Sequence, residues 1–164
     1  MVDRMPRFLT LALLVIAVPA SAQPQALGVF GGWGAFRDAG RCYAIAAPVE
    51  ALPAQGWRPF LSVGHWPGRG GGGQLFVRLS REKRDGSAVL LRIDGRLFQL
   101  SGRGRDAWAV DRSADDEIMT AIRTGLAAAV ETRSVGGAWI RDRYQLRGAA
   151  TAIDAAALAC LPGR

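Results

Sequence analysis

His65 is the single histidine of this 164-residue chain, so a base-catalysed or histidine-ligated site has one imidazole to work with. Ser62 precedes it by three residues, and on a strand that spacing sends the two side chains to opposite faces. A serine nucleophile activated by His65 is therefore disfavoured, and His65 beside Trp66-Pro67 reads as a packing residue at a strand end. Cys42 and Cys160 are the only thiols, and in oxidising surroundings the pair is expected to form one disulfide, which removes both as nucleophiles. Asp115-Asp116-Glu117 gathers three carboxylates, a cluster that suits the positive end of a helix better than a metal site. Asp142 stands on the inner face of an alternating strand with Ile140, Tyr144 and Leu146. A buried carboxylate has to be paired or hydrogen-bonded, so a structural bond to an arginine or to turn amides is expected ahead of catalysis. Carboxylates paired across a cleft for glycoside cleavage depend on separation in space and stay open. No catalytic, metal or cofactor set is expected, and no cofactor.

The glycine tract Gly68 to Gly73 fails as a phosphate cradle. A P-loop needs Gly-Lys followed by Ser or Thr, whereas here Gln74-Leu75 follow, so the tract reads as a mobile surface loop. Basic residues are the other candidate for chemistry. The chain carries +7 at neutral pH, and nearly all of its positive charge is arginine, with Lys83 the one lysine. Arginine suits bidentate contact with phosphate or carboxylate, although a GC-rich genome supplies it by codon bias alone. Arg141, Arg143 and Arg147 share the outer side of the strand that carries Asp142, and Arg133 joins them across a hairpin. Further groups are Arg81, Lys83 and Arg84, then Arg103 and Arg105. Such patches would attract an envelope protein, anionic glycan or lipid headgroups; the same residues also suit solvated strand faces. Nucleic acid is disfavoured, because it calls for exposed aromatics and Trp108 and Trp139 carry no sign of exposure.

The elements that must position these groups are mostly short strands. Cys42 to Ala47, Phe60 to Trp66 and Gln74 to Ser80 read as strands, the last with Leu75, Val77 and Leu79 on one face and Phe76 and Arg78 on the other. Asp94-Gly95 predicts a two-residue type I′ hairpin pairing Leu91 with Phe98 and Val89 with Leu100. Ser113 is the expected cap of a helix whose apolar face is Ile118, Met119 and Ile122, with Arg123 in its last turn and Gly125 as its stop. Leu126 to Thr132 and Trp139 to Leu146 read as strands joined through Gly136-Gly137. A final helix over Thr151 to Cys160 turns Ala152, Ile153, Ala156 and Cys160 to one side. Alternating β-α units are missing. The fold class expected is mainly β: an antiparallel sandwich or flattened barrel with two short helices in the C-terminal part.

The first 22 residues read as a cleaved signal peptide. Arg4 and Arg7 make a positive start, Phe8 to Val18 is apolar except for Thr10, and Pro19-Ala20-Ser21-Ala22 offers small residues for cleavage after Ala22. The apolar run falls short of the ~20 residues needed to span a bilayer. Residues 23–164 then form one β-rich domain closed by Cys42–Cys160, periplasmic or secreted, with no transmembrane span. The leader's two arginines and one aspartate account for one unit of the +7, leaving +6 on the mature chain.

Phe30-Gly31-Gly32-Trp33-Gly34-Ala35-Phe36, followed by Cys42-Tyr43-Ala44-Ile45 and Pro48, resembles the opening of the invasion-associated locus B family. Ile93-Asp94-Gly95 with Phe98, Trp108, Ile122-Arg123, Gly125, Asp142, Tyr144-Gln145-Leu146, Gly148, Ala152 and Cys160 follow in the family's order. The resemblance spans the mature chain and implies a small exported protein of Gram-negative bacteria, periplasmic or outer-membrane associated, of a family named for host-cell invasion. It implies Cys42 and Cys160 as the disulfide pair and transfers no catalytic set. The chain departs from the family at Gly32, where many members are acidic, and at Trp66-Pro67, where an Arg-Pro is frequent. Together the residues and the resemblance point to a non-enzymatic, virulence-associated binding protein of the cell envelope. A carboxylate-based envelope hydrolase and a chaperone-like or structural partner offering an open strand edge are the alternatives.

Overall fold

The computed structural model describes residues 23–53, 56–68 and 72–161. The expected signal peptide at 1–22 and the middle of the glycine tract, 69–71, lie outside the described residues. The strands are β1 Gln25–Phe30, β2 Trp33–Asp38, β3 Arg41–Ala46, β4 Phe60–His65, β5 Gln74–Arg78, β6 Val89–Ile93, β7 Arg96–Arg103 and β8 Asp106–Ala109. Helix α1 Arg112–Thr124, β9 Ala127–Arg133, β10 Trp139–Gln145 and α2 Ala149–Ala159 complete the chain. All ten strands form one antiparallel sheet in the order β1-β2-β3-β4-β5-β8-β7-β6-β9-β10.

The sheet curls until its two halves face one another. Val49 donates its amide to Arg143 O and Arg143 donates to Glu50 O, each at 2.7 Å, so the chain leaving β3 covers the free edge of β10. Trp33 of β2 donates its indole N–H to Gln145 O at 2.9 Å. The result is the flattened barrel expected from the strand pattern. Its interior is filled by alternate side chains of nearly every strand, including Trp33, Leu61, Val63, Val77, Leu91, Val130 and Tyr144. The helices cover this inner face, α2 against β1 to β3 and α1 beside β5 and β8.

Local chemistry explains most element boundaries. The β6–β7 hairpin has the expected register, Leu91 opposite Phe98 and Val89 opposite Leu100. Its turn differs from type I′, which needs a positive φ at both central residues: Asp94 takes φ +47° and Gly95 does not share it. The Asp94 carboxylate gives that conformation a purpose by accepting from Leu126 N and Ala127 N, each at 3.1 Å, at the start of β9. Helix α1 is capped by Asp111 and not by Ser113. Asp111 is extended and accepts from Ala114 N at 2.8 Å, so the helix begins before Ser113. Gly125 ends it, donating its amide to Ala121 O at 2.8 Å. In α2 the inward face is Ala149, Ala152, Ile153 and Ala156, and small residues let the helix lie close to β2 and β3. Cys160, just past its end, is disulfide-bonded to Cys42 of β3 with Cα atoms 5.7 Å apart.

Candidate binding groove

The residues singled out for chemistry are scattered. Asp142 is fully buried on the inner face of β10, where its carboxylate accepts from Ser80 N at 2.8 Å and Ser80 Oγ at 2.5 Å. Burial raises its pKa, and the two Ser80 bonds and Arg81 pull it part of the way back. This bond joins the end of β5 to β10 across the barrel and ties the two halves together. Ser62 and His65 face opposite ways, as their spacing requires: Ser62 Oγ donates to Phe76 O at 3.3 Å on the outer face, while His65 is buried on the inner one. His65 is the strand partner of Cys42. Its Nε2 has no hydrogen-bond partner among the described residues, and burial, then Arg123, lowers its pKa.

Of the four arginines of the β9–β10 region, Arg141 and Arg143 are paired with carboxylates. Arg141 Nε lies 2.8 Å from Glu131 Oε1, and Arg92 approaches the same carboxylate at 3.8 Å. Arg143 Nε is 3.5 Å from Glu50 Oε2. Arg133 stacks over the Trp139 ring at 4.8 Å and donates to Gly137 O at 3.4 Å. Arg147 is exposed beyond β10. Lys83, expected in a surface group, is buried with Nζ donating to Arg84 O at 3.0 Å. Arg81 donates to Pro53 O and Ser80 O, and Arg105 stacks 4.5 Å above Trp57. Nothing in these contacts assembles a continuous cationic surface.

A different place is concave. On the outer face of β3, β4, β5 and β8 lies a groove of about 890 Å³ containing Tyr43, Phe60, Trp66, Phe76 and Trp108. The size falls within the usual range for ligand sites. Strand pairing builds its floor: Ser62 is opposite Phe76, and Phe76 is opposite Trp108. Two residues along, on the same face, Phe60 is opposite Arg78 and Arg78 opposite Asp106. The Phe60 and Phe76 ring centroids are 5.8 Å apart. Arg78 lies within 5.8 Å of both rings, held by Asp106 Oδ1 at 2.5 Å. At the other end Arg41 stacks 4.8 Å over Tyr43, which itself stacks on Phe36 at 5.6 Å. Trp108 is 41% exposed and Trp139 42%, so both tryptophans are exposed, which their sequence context did not signal. Only Trp108 lies in this groove, where it adds to a contiguous aromatic patch.

The first turn of α1, with Gly72 and Gly73, forms the groove's wall. Asp115 Oδ1 accepts from Leu75 N at 2.8 Å, which pins the helix start to β5; burial raises its pKa, opposed first by that same bond. A side chain at Gly72 would meet Arg112 Nη2 at 3.2 Å and Asp116 Oδ1 at 3.5 Å. At Gly64 a Cβ would lie 2.7 Å from the Trp66 ring. Glycine there lets the indole of residue i+2 lie flat over the strand. Gly34 with Phe36 and Gly28 with Phe30 repeat the device, at 2.6 and 2.8 Å.

No family model, curated protein or solved structure matches this chain. Functional meaning therefore rests on the groove's own chemistry. Sequence reasoning missed it, although two signals were present. Phe76 interrupts the polar side of an otherwise clean alternation, and Gly64-His65-Trp66 carries the glycine-x-aromatic spacing already seen at Gly34 and Phe36. Their convergence needed the strand order, since β5 pairs with β8 and not with its sequence neighbour β6.

Proposed function

We propose that this is an exported, non-enzymatic binding protein of the bacterial cell envelope, of the invasion-associated locus B type, and that the aromatic groove is its ligand site. One observation carries the reading: five aromatic side chains line one concavity on the solvent side of central strands whose backbone groups are already paired. Buried cores explain apolar rings on the inner face; a contiguous aromatic patch in a concavity outside it is the arrangement that marks a binding site, where a single exposed ring would not be. The Cys42–Cys160 bridge and the leader-like residues 1–22 are compatible with a life outside the cytoplasm. No described helix is long and apolar enough to cross a membrane.

The groove favours binding over glycoside cleavage. Its carboxylates, Asp111, Asp115 and Asp116, all come from one wall, whereas that reaction uses two carboxyls on opposite sides of the bond. Asp111 and Asp115 are moreover committed to backbone amides. A partner adding a strand is better placed at β1, the open edge of the sheet, but β1 carries a register shift between Ala26 and Gly28, a device that blunts edges. Retention of the mature protein on total envelope fractions tests the proposal. Wild type is expected to be retained and the Trp108→Ala/Phe76→Ala double variant to wash through; equal retention of both would contradict it.

A further inference from the structure

We propose that the groove binds a neutral glycan chain, an inference that rests on the groove being the ligand site. Charge balance comes first. Among the described residues, Arg41, Arg78 and Arg112 line it against Asp111, Asp115 and Asp116, so the described lining has no excess positive charge with which to hold a polyanion. Arg78 is further neutralised by Asp106. An acceptor-rich ligand such as a phosphorylated lipid or a sulfated polymer would face as many carboxylates as guanidiniums.

Hydrogen-bond character comes second. Guanidinium groups only donate and ionised carboxylates only accept. Asp111 and Asp115 are held by backbone amides and Arg78 by Asp106, which leaves Arg112 to donate and Asp116 to accept; a hydroxyl can meet both at a single atom. Arg112 and Asp116 converge beside Gly72, and Gln74, exposed on the neighbouring strand, adds an amide with both capacities. Planar side chains of these types bridge the adjacent hydroxyls of a sugar ring.

Ring geometry comes third. A pyranose has flat C–H faces that stack against the negative face of an aromatic ring. Phe60, Phe76 and Trp108 sit on β4, β5 and β8, three strands in succession. Phe76 is directly opposite Trp108, one strand spacing of about 4.8 Å away, and Phe60 lies diagonally from Phe76 with ring centroids 5.8 Å apart. Both steps are near the length of one sugar in an equatorially linked chain. Successive rings can therefore meet successive sugars, with the chain running across the strands. A strand-adding peptide finds no free backbone here, because β4 and β5 are paired on both sides.

The test is titration of the mature protein with chitotetraose and cellotetraose, both uncharged, read by tryptophan fluorescence and calorimetry. Saturable binding that persists at high salt is expected. Trp108→Ala should weaken it by about tenfold or more, the equivalent of about 1.4 kcal/mol, while Trp108→Phe keeps most of it. Val135→Ala, exposed at the β9–β10 turn, should bind as wild type. Trp108 is open to solvent, so its loss leaves the fold intact, and circular dichroism verifies this. Failure to bind either tetrasaccharide, or binding indifferent to Trp108→Ala, overturns the glycan assignment. Trp108-dependent binding of heparin, anionic vesicles or a proline-rich peptide in place of sugar also overturns it, yet leaves the groove as the ligand site. Envelope retention indifferent to the double variant is the separate result that would remove the groove itself.

Discussion

Gly148 lies at φ +91° with Phe30 O only 1.9 Å from where a Cβ would stand. Both the left-handed backbone and the close approach demand glycine. Here the chain leaving β10 passes against the β1–β2 turn, where Gly31 repeats the contact with Arg147 O 2.6 Å from its own hypothetical Cβ. Gly148→Ala should destabilise the protein by several kcal/mol, on the order of the largest single-residue effects, or prevent folding. Gly32→Ala is the contrast: nothing lies within 4 Å of its Cβ position, and the change should shift the urea midpoint little. Equal losses for both would contradict this account of the seam. The family resemblance marks Gly148 and Gly31 alike, but only the packing says why they must be glycine. Asp142 belongs to the same scale. Its alternation on β10 made burial legible, whereas Ser80 as its partner, 62 residues earlier, was not.

At the level of elements, local signals were readable where both partners lie close in sequence. The β6–β7 hairpin register followed from a dipeptide and two apolar pairs, and α1's apolar face and glycine stop followed from helical spacing. The α1 start was displaced because two capping residues compete within three positions. Asp111 wins, its carboxylate reaching Ala114 N while its own backbone is extended. Asp111→Ala should therefore cost about 1 kcal/mol of stability and Ser113→Ala a few tenths at most, measured by urea unfolding; the reverse order would restore Ser113 as the cap. The groove was illegible for a topological reason. After β5 the chain crosses to β6 and returns through β7 and β8, so Phe76 and Trp108, 32 apart in sequence, meet in a register that no local pattern encodes. Strands β3 to β7, β9 and β10 were legible in the sequence; β1, β2 and β8, which carries Trp108, were not, and neither was strand adjacency.

Across the whole molecule, the disulfide closes a loop with a sequence separation of 118, worth about 4.7 kcal/mol in the chain-entropy model. It fixes α2 on β3, and His65 sits buried at that junction as the partner of Cys42. Burial and Arg123 both disfavour its charged form, so its folded pKa lies below the unfolded value near 6.5. The unfolded chain then binds the extra proton first, and stability is lost as pH falls from about 6.5 through the lowered folded value. Asp142 and Asp115 act in the opposite sense, from about 3.9 upward through their raised folded values. Urea midpoints should thus drop between pH 7.5 and the lower end of the His65 window in wild type, and His65→Leu should flatten that drop; an unchanged slope would remove His65 as its source.

The barrel places its polar tie, Asp142, and its one histidine inside, ion-paired Arg141 and Arg143 on β10 beside an exposed Trp139 that Arg133 covers, and its concave cluster of aromatic rings over β3, β4, β5 and β8. That division is the central claim, and amide chemical-shift mapping during a titration with chitotetraose tests it most directly. The shifts expected are those of Tyr43, Phe60, Ser62, Phe76, Trp108 and the first turn of α1, with β9 and β10 unmoved. Shifts centred on Arg141 and Arg143, or none at saturating sugar, would contradict it.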